Sequence, residues 1–293
     1  MKLYDDIIIT KDRAIAKSYA KINLTLDVLG KLENGYHEVR MIMQSLNLFD
    51  LVIVDKAPHG IHISSNCKCI PKNSKNIAYK AAMLFFEKAG ISGGAKIFIR
   101  KNIPVSAGLA GGSGNAAAVL CALNMLYDMP LGEEIYDLAL SIGADVPYCI
   151  NGGTCLAEGI GEKLTPLSPL PEFPVLLVKP DISISTAEIY KRIDNEHNLK
   201  RPDTNLALEC IKSRDYDRLL SNLKNAMEAV TAHICPEISR ICEDLDGLGA
   251  KAALMSGSGP TVYGIFEDYL SAKKACDIMS EKYTQTFLTH ILN

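Results

Sequence analysis

Apolar and polar residues alternate from Ala14 onward, with Ile22, Leu24, Leu26 and Val28 set between Lys21, Asn23, Thr25 and Asp27. A period of two marks a strand with one covered face, and it places Lys21 and Asn23 on the same side, opposite to the core. Further strands are predicted over Val39 to Leu48, Leu51 to Asp55, Ile61 to Ser64 and Lys96 to Arg100. A helix is predicted over Ile77 to Lys88, ended by Gly90. Val119, Leu120, Leu123 and Leu126 form the apolar stripe of a second helix, which begins after Asn115. A third runs from about Gly132 to Ile142, with Gly143 as its C-cap. Ile7 to Ile9 is β-prone and suits an added edge strand.

Pro166, Pro169, Pro171 and Pro174 crowd one short stretch and separate a second half with its own elements. That half is predicted to hold a strand at Val175 to Val178 and helices near Ser185 to Arg192, Asp217 to Thr231 and Pro236 to Leu245. Strands at Ala250 to Met255 and Thr261 to Phe266, a helix at Ser271 to Tyr283 and a strand at Thr284 to Ile291 follow. The layout is α+β, with two domains expected, 1–161 and 162–293.

Composition narrows the class without naming a chemistry. The 293 residues are 48% hydrophobic and 22% charged, enough for a sizeable core. A net charge of −3 without long single-sign runs points to neither a nucleic acid nor a membrane as partner. The N-terminal apolar run is too short for a signal or a span, so a cytoplasmic location is expected. Nine cysteines lack paired CxxC spacing, Cys67 and Cys69 forming a lone CxC, and are expected to be reduced and mostly buried. No transition-metal site is expected from this pattern of cysteines and histidines.

Chemistry gathers at Pro104-Val105-Ser106-Ala107-Gly108-Leu109-Ala110-Gly111-Gly112-Ser113-Gly114, a glycine-rich loop between a strand and a helix start. Glycines there let backbone N–H groups approach an anion that the helix dipole also favours, and phosphate is the natural ligand. The loop lacks the lysine of a Walker sequence and the spacing of a Rossmann fingerprint, and a plain flexible turn is the other reading. The turn Ser256-Gly257-Ser258-Gly259-Pro260 is either a tight β-turn or a second backbone approach to a ligand. Asp145 follows the end of the third helix, where the macrodipole disfavours a carboxylate, so a proton-accepting role competes with that of a surface charge. Lys21 is the cation best placed to accompany it.

The two glycine motifs, in this order, resemble those of the GHMP kinases, which include galactose, homoserine, mevalonate and phosphomevalonate kinases. Ala20-Lys21-Ile22-Asn23-Leu24, Asn34-Gly35-Tyr36-His37-Glu38 with Met43-Gln44-Ser45, Gly143-Ala144-Asp145-Val146-Pro147 and Glu158-Gly159-Ile160-Gly161-Glu162 are similar to one branch of that family. That branch acts on a cytidine diphosphate-linked methylerythritol in the non-mevalonate isoprenoid route. The resemblance implies a two-domain fold of mixed and antiparallel sheets packed by helices, an interdomain cleft, and the cofactors ATP and Mg²⁺. It implies Lys21 and Asp145 as the catalytic pair, with Lys101, the loop Pro104 to Gly114 and Asn115 around ATP. Asn23, Tyr36, His37, Thr186 and Tyr190 are implied on the substrate, the aromatic rings serving the cytosine. Two departures stand out: Ala110 replaces a common glycine, and Gly114 replaces a common serine, which leaves any hydroxyl contact to phosphate or Mg²⁺ to Ser113. The alternatives are another GHMP kinase or a noncatalytic nucleotide-binding protein on the same fold.

Overall fold

A computed structural model describes residues 6–129, 131–196 and 199–293. The chain opens with strands β1 (Ile8–Ile9), β2 (Arg13–Lys31), β3 (His37–Ala57) and β4 (Gly60–Ser65). Helix α1 (Ile77–Ala89), β5 (Gly94–Arg100) and helices α2 (Gly111–Leu126), α3 (Glu134–Ile142) and α4 (Val146–Asn151) follow. Next come β6 (Thr154–Glu158), β7 (Lys163–Pro166), β8 (Pro174–Lys179), α5 (Thr186–Ile193), α6 (Thr204–Ser213), α7 (Tyr216–Leu220) and β9 (Lys224–Asn225). The last elements are α8 (Glu228–Ile234), α9 (Glu237–Gly247), β10 (Ala252–Met255), β11 (Val262–Ile265), α10 (Tyr269–Lys282) and β12 (Gln285–His290).

These elements form two units that interleave along the chain. The first contains residues 1–20, 48–105 and 110–152, and the second 21–47, 106–109 and 153–293. In the first unit, Leu51 to Ala57 of β3 pair antiparallel with β5, and β4 adds to β5 in parallel. Val52, Val54, Ile97 and Ile99 meet Phe85 of α1 and Leu120 and Leu123 of α2 in its core. Every residue from Ala116 to Leu123 is fully buried, so α2 has no solvated face along that stretch. Its alanines present little bulk to neighbours such as α1, against which α2 packs.

In the second unit, β6 pairs with Met41 to Gln44 of β3 and with β7, and β9 pairs in parallel with Thr25 and Leu26 of β2. A separate antiparallel sheet has the order β10-β11-β8-β12. The C-terminal residues return to β3, where Leu46 bridges Ile291 and Leu292 N donates to Ser45 O.

Several expectations are corrected. The segments Val39 to Leu48 and Leu51 to Asp55 are one strand, β3, because Phe49 and Asp50 continue the ladder. Lys21 and Asn23 do share a face, but that face is covered as well, and every residue of β2 from Ala20 to Val28 is buried. The span Asp217 to Thr231 is not one helix: α7 ends at Leu220, and Asn225 turns its side chain to the carbonyls of Met255 and Gly257. Cys67 and Cys69 are joined in a disulfide, whereas Cys155, Cys210 and Cys235 are buried thiols as expected. Burial pushes the Cys155 thiol up to about 11, so it stays protonated at neutral pH. Gly143 caps α3 in extended backbone (φ 175°) instead of the left-handed form that Gly90 adopts (φ 63°). The edge strand foreseen at Ile7 to Ile9 is present as β1, antiparallel to β2.

Candidate active site

The first unit presents the N-terminus of α2, a helix with no side chain capping it. Its leading N–H groups lack intrahelical acceptors by construction, and the aligned peptide dipoles make this end electropositive. The approach is wound through left-handed backbone at Ser106 (φ 52°), Gly108 (φ 73°) and Ala110 (φ 54°). Alternation of this kind turns successive N–H groups toward a common concavity. Ala110 therefore occupies a conformation that costs a residue with a Cβ about 1–2 kcal/mol, a physical reason for a glycine there.

The Lys101 side chain is nearly buried, and its ammonium lies 3.0 Å from where a Cβ on Gly111 would stand, at the first residue of α2. It pairs with Asp50, a carboxylate with no solvent exposure. Asn115 Nδ2 donates to the same Asp50 oxygen at 2.8 Å and lies 3.1 Å from Ser18 Oγ. A Cβ on Gly114 would come within 2.5 Å of that Ser18 oxygen, so the glycine leaves room that a serine would contest. Ser113 is half-buried beside it.

Asp145 also belongs to the first unit, and its placement reverses the dipole expectation. It stands at the N-cap of α4, with Pro147 in the first turn, where a carboxylate is favoured. Its side chain makes no capping hydrogen bond and is half-buried, and α4 packs on α2.

The second unit holds Lys21, whose ammonium donates to Asn23 Oδ1 at 2.7 Å inside the protein. The Lys21 backbone N–H donates to Leu109 O at 3.2 Å, tying this strand to the glycine loop. Asn23 is fixed twice more, by Nδ2 to Met41 Sδ at 3.2 Å and by the buried Tyr263 hydroxyl on its carbonyl at 2.9 Å. The loop residue Gly108 abuts the second glycine turn: Ser256 Oγ donates to Gly108 O at 3.0 Å, and a Cβ on Gly108 would fall 2.3 Å from Ser256 O. Gly257 faces the Lys21–Asn23 pair, 3.4 Å from the ammonium when a Cβ is placed on it. Ser256 to Pro260 is thus both a tight turn, with Gly259 N on Ser256 O at 3.0 Å, and a backbone approach to the lysine.

His37 and Tyr190 stack with ring centroids 4.6 Å apart, and His37 Nε2 lies 2.6 Å from Asp194 Oδ1. Lys31 pairs with the other Asp194 oxygen at 3.0 Å. His37, then Lys31, hold the Asp194 carboxyl below the usual carboxylate range. Tyr36 is 59% exposed at the neighbouring turn. Thr186 shares a hydrogen bond of 2.8 Å with Ser258. Lys21 and Asp145 fall in different units, as do the two halves of the loop, Ser106 to Leu109 and Ala110 to Gly114.

Asp50, Ser18 and Asp194 were not singled out from sequence. Asp50 carried a usable signal, since it falls in phase with the buried Val52 and Val54.

The family profile described as GHMP kinases N terminal domain matches residues 76–153, which contain the loop, α2 and Asp145, and the one described as GHMP kinases C terminal matches 207–285. A protein from Clostridium botulinum (strain Eklund 17B / Type B), named 4-diphosphocytidyl-2-C-methyl-D-erythritol kinase, is 48% identical over 94% of this chain and 99% of its own length. The chain belongs to the GHMP kinase family. It is an ATP-dependent kinase of that family, and a relative of the same name from Alkaliphilus metalliredigens is 46% identical over 93% of this chain and 94% of its own. Among solved structures, a crystal structure of 4-(cytidine 5'-diphospho)-2C-methyl-D-erythritol kinase is similar with a TM-score of 0.82 at 31% identity, covering 95% of this chain and 99% of that one. Homoserine kinase from Cytophaga hutchinsonii shares the GHMP fold at 17% identity, with a TM-score of 0.77, 97% of this chain and 96% of that one being covered. No helix among the described residues is long and apolar enough to cross a membrane.

Proposed function

We propose that this GHMP kinase transfers the γ-phosphoryl group of ATP to the 2-hydroxyl of 4-diphosphocytidyl-2-C-methyl-D-erythritol, a step in non-mevalonate isoprenoid precursor biosynthesis. The observation that carries the acceptor is the similarity over nearly the whole chain to relatives of that name. The reading takes 1–161 and 162–293 as the two domains and the cytoplasm as the location. The division into two domains is supported by an N-terminal match that ends at 153 and a C-terminal match that begins at 207.

Phosphoryl transfer asks the protein mainly for alignment and charge stabilisation, with an acceptor for the hydroxyl proton. The triphosphate lies on the loop Pro104 to Gly114 and the α2 N-terminus, with Lys101 and Asn115 beside it. The oxygen donors available there, Ser113 Oγ together with phosphate oxygens, suit Mg²⁺, which neutralises phosphate charge when bound. Ser113 is the residue that would hold it. Asp145 accepts the proton of the attacking hydroxyl, and Lys21, oriented by Asn23, stabilises charge on the moving phosphoryl oxygens. Tyr36, His37 and Tyr190 take the cytosine by stacking and edge contacts, and Thr186 holds the acceptor on the same side.

ADP release with Mg-ATP should occur with the cytidine compound and stay at background with mevalonate, homoserine or galactose. Turnover with one of the latter instead would replace the acceptor and keep the kinase. Asp145→Asn should lower kcat by about 10²–10⁴-fold with acceptor binding preserved. A kcat near that of the unmodified enzyme would remove Asp145 from the role of base.

A further inference from the structure

We propose that Asp50 is the positioning residue of the ATP phosphate site, fixing the Lys101 ammonium and the first turn of α2 in the arrangement that receives the triphosphate. The inference rests on Lys101 and Asn115 being ATP contacts. Asp50 sits in β3 at a core position in phase with Val52 and Val54, and its side chain is fully buried. Burying a carboxylate is costly unless donors surround it, and an aliphatic side chain there would simply extend the apolar stripe.

The donors that do surround it all come from the phosphate site. Oδ1 accepts from Asn102 N at 2.8 Å and Ile103 N at 2.9 Å, the residues that lead into the glycine loop. Oδ2 accepts from the Lys101 ammonium and from Asn115 Nδ2 at 2.8 Å, the latter in the first turns of α2. One carboxylate therefore ties the entry of the loop, its cation and the helix that follows.

The electrostatics require such a tie. The Lys101 ammonium is 3.0 Å from the position a Gly111 Cβ would take, beside a helix end that already carries positive potential. Two like-signed charges in a poorly solvated corner separate unless a third group holds them. Asp50 supplies that group, its own charge being compensated within the protein. An incoming phosphate then meets an ammonium and free N–H groups already in place, which avoids the cost of ordering them on binding.

The test compares Asp50→Asn, Lys101→Met and the double variant by calorimetric titration with the nonhydrolysable analogue AMP-PNP and Mg²⁺, alongside KM for the acceptor. Asp50→Asn should weaken nucleotide binding about tenfold or more, with the acceptor KM within about twofold of wild type. The double variant should lose less than the product of the two single losses, because part of the effect of Asp50 runs through the lysine and the rest through the loop entry and Asn115. Unchanged binding by Asp50→Asn, equal losses for nucleotide and acceptor, or independent multiplication of the two effects would overturn the proposal. If Asp50→Asn alone does not fold, the double variant, which buries neither charge, is set against Lys101→Met: any further loss should be confined to the nucleotide, and an equal further loss for the acceptor would overturn the proposal. Full nucleotide affinity in Lys101→Met would instead overturn the assignment of Lys101 as an ATP contact.

Discussion

The phosphate corner of the first unit and the aromatic cluster of the second are built on opposite plans. Around Asp50, charged groups are buried, Asn115 is 4% exposed, and the Asp50 oxygens accept from Lys101, Asn102, Ile103 and Asn115. Around His37, whose own side chain is nearly buried, the flanking groups are partly solvated: Tyr36 stands 59% exposed, and the Asp194 ion pair with Lys31 lies near the surface. A triphosphate is the same in every kinase of this family, so a rigid preformed cradle serves it. In the proposed reading the aromatic cluster meets a nucleobase, which is recognised by shape and edge pattern. The difference predicts unequal penalties for similar changes in the two places.

The largest penalty is expected where backbone meets backbone. Gly108→Ala places a methyl group 2.3 Å from Ser256 O in a left-handed residue, combining overpacking of about 1–3 kcal/mol with about 1–2 kcal/mol of conformational cost. Urea unfolding should show a loss of that size together with weakened ATP binding. A wild-type midpoint would mean that the two glycine turns are not held as tightly as described.

A smaller effect is expected in the aromatic cluster. Asp194→Asn should raise the acceptor KM about threefold to fivefold, as for an exposed charge-assisted contact, and leave the KM for ATP alone. The Asp194 carboxyl is held below the ordinary carboxylate range, so its contribution is complete above that range and is lost only as pH falls through the lowered value. The ratio of variant to wild-type KM should therefore be flat with respect to Asp194 itself between about pH 6 and pH 8. A shift in the KM for ATP would erase the contrast between the two regions.

The smallest effect sharpens the contrast from the other side. Ala110→Gly relieves the left-handed alanine (φ 54°) but adds chain entropy to the unfolded state, leaving a net gain of about 0.5 kcal/mol. The unfolding midpoint should rise slightly, and the acceptor KM should stay fixed.

Much of this was legible in the alternation and the glycines. The strand–loop–helix order around Gly108 and the Lys21–Asn23 face emerged from spacing alone, because period and loop chemistry are local properties. The phase of Asp50 with Val52 and Val54 was legible but its role was not, since a charged residue between two apolar runs looks like a break until its partners at Lys101, Asn102 and Asn115, far away in sequence, are known. Asp145 does follow the end of α3, but the second helix that starts at it, α4, was missed for a related reason. The Val146-Pro147 pair suits a turn as well as a helix start, and only a six-residue helix decides which dipole end the carboxylate meets. The split of Asp217 to Thr231 turned on Asn225, whose polar side chain prefers two distant carbonyls to a helical position.

The return of Leu292 and Ile291 to Ser45 and Leu46, with Gln44 Nε2 on Leu292 O at 2.9 Å, also governs the order in which the protein can be made. As the chain leaves the ribosome, Ser45 and Leu46 emerge early, yet their pairing with residues 291 and 292 waits for more than two hundred further residues. For that interval the β3 edge that will meet residues 291 and 292 is uncovered, a stretch of apolar strand open to unwanted partners. Deleting residues 291 and 292 would prolong that exposure indefinitely, so yield of folded protein should be more sensitive to that deletion than catalytic rate per folded molecule.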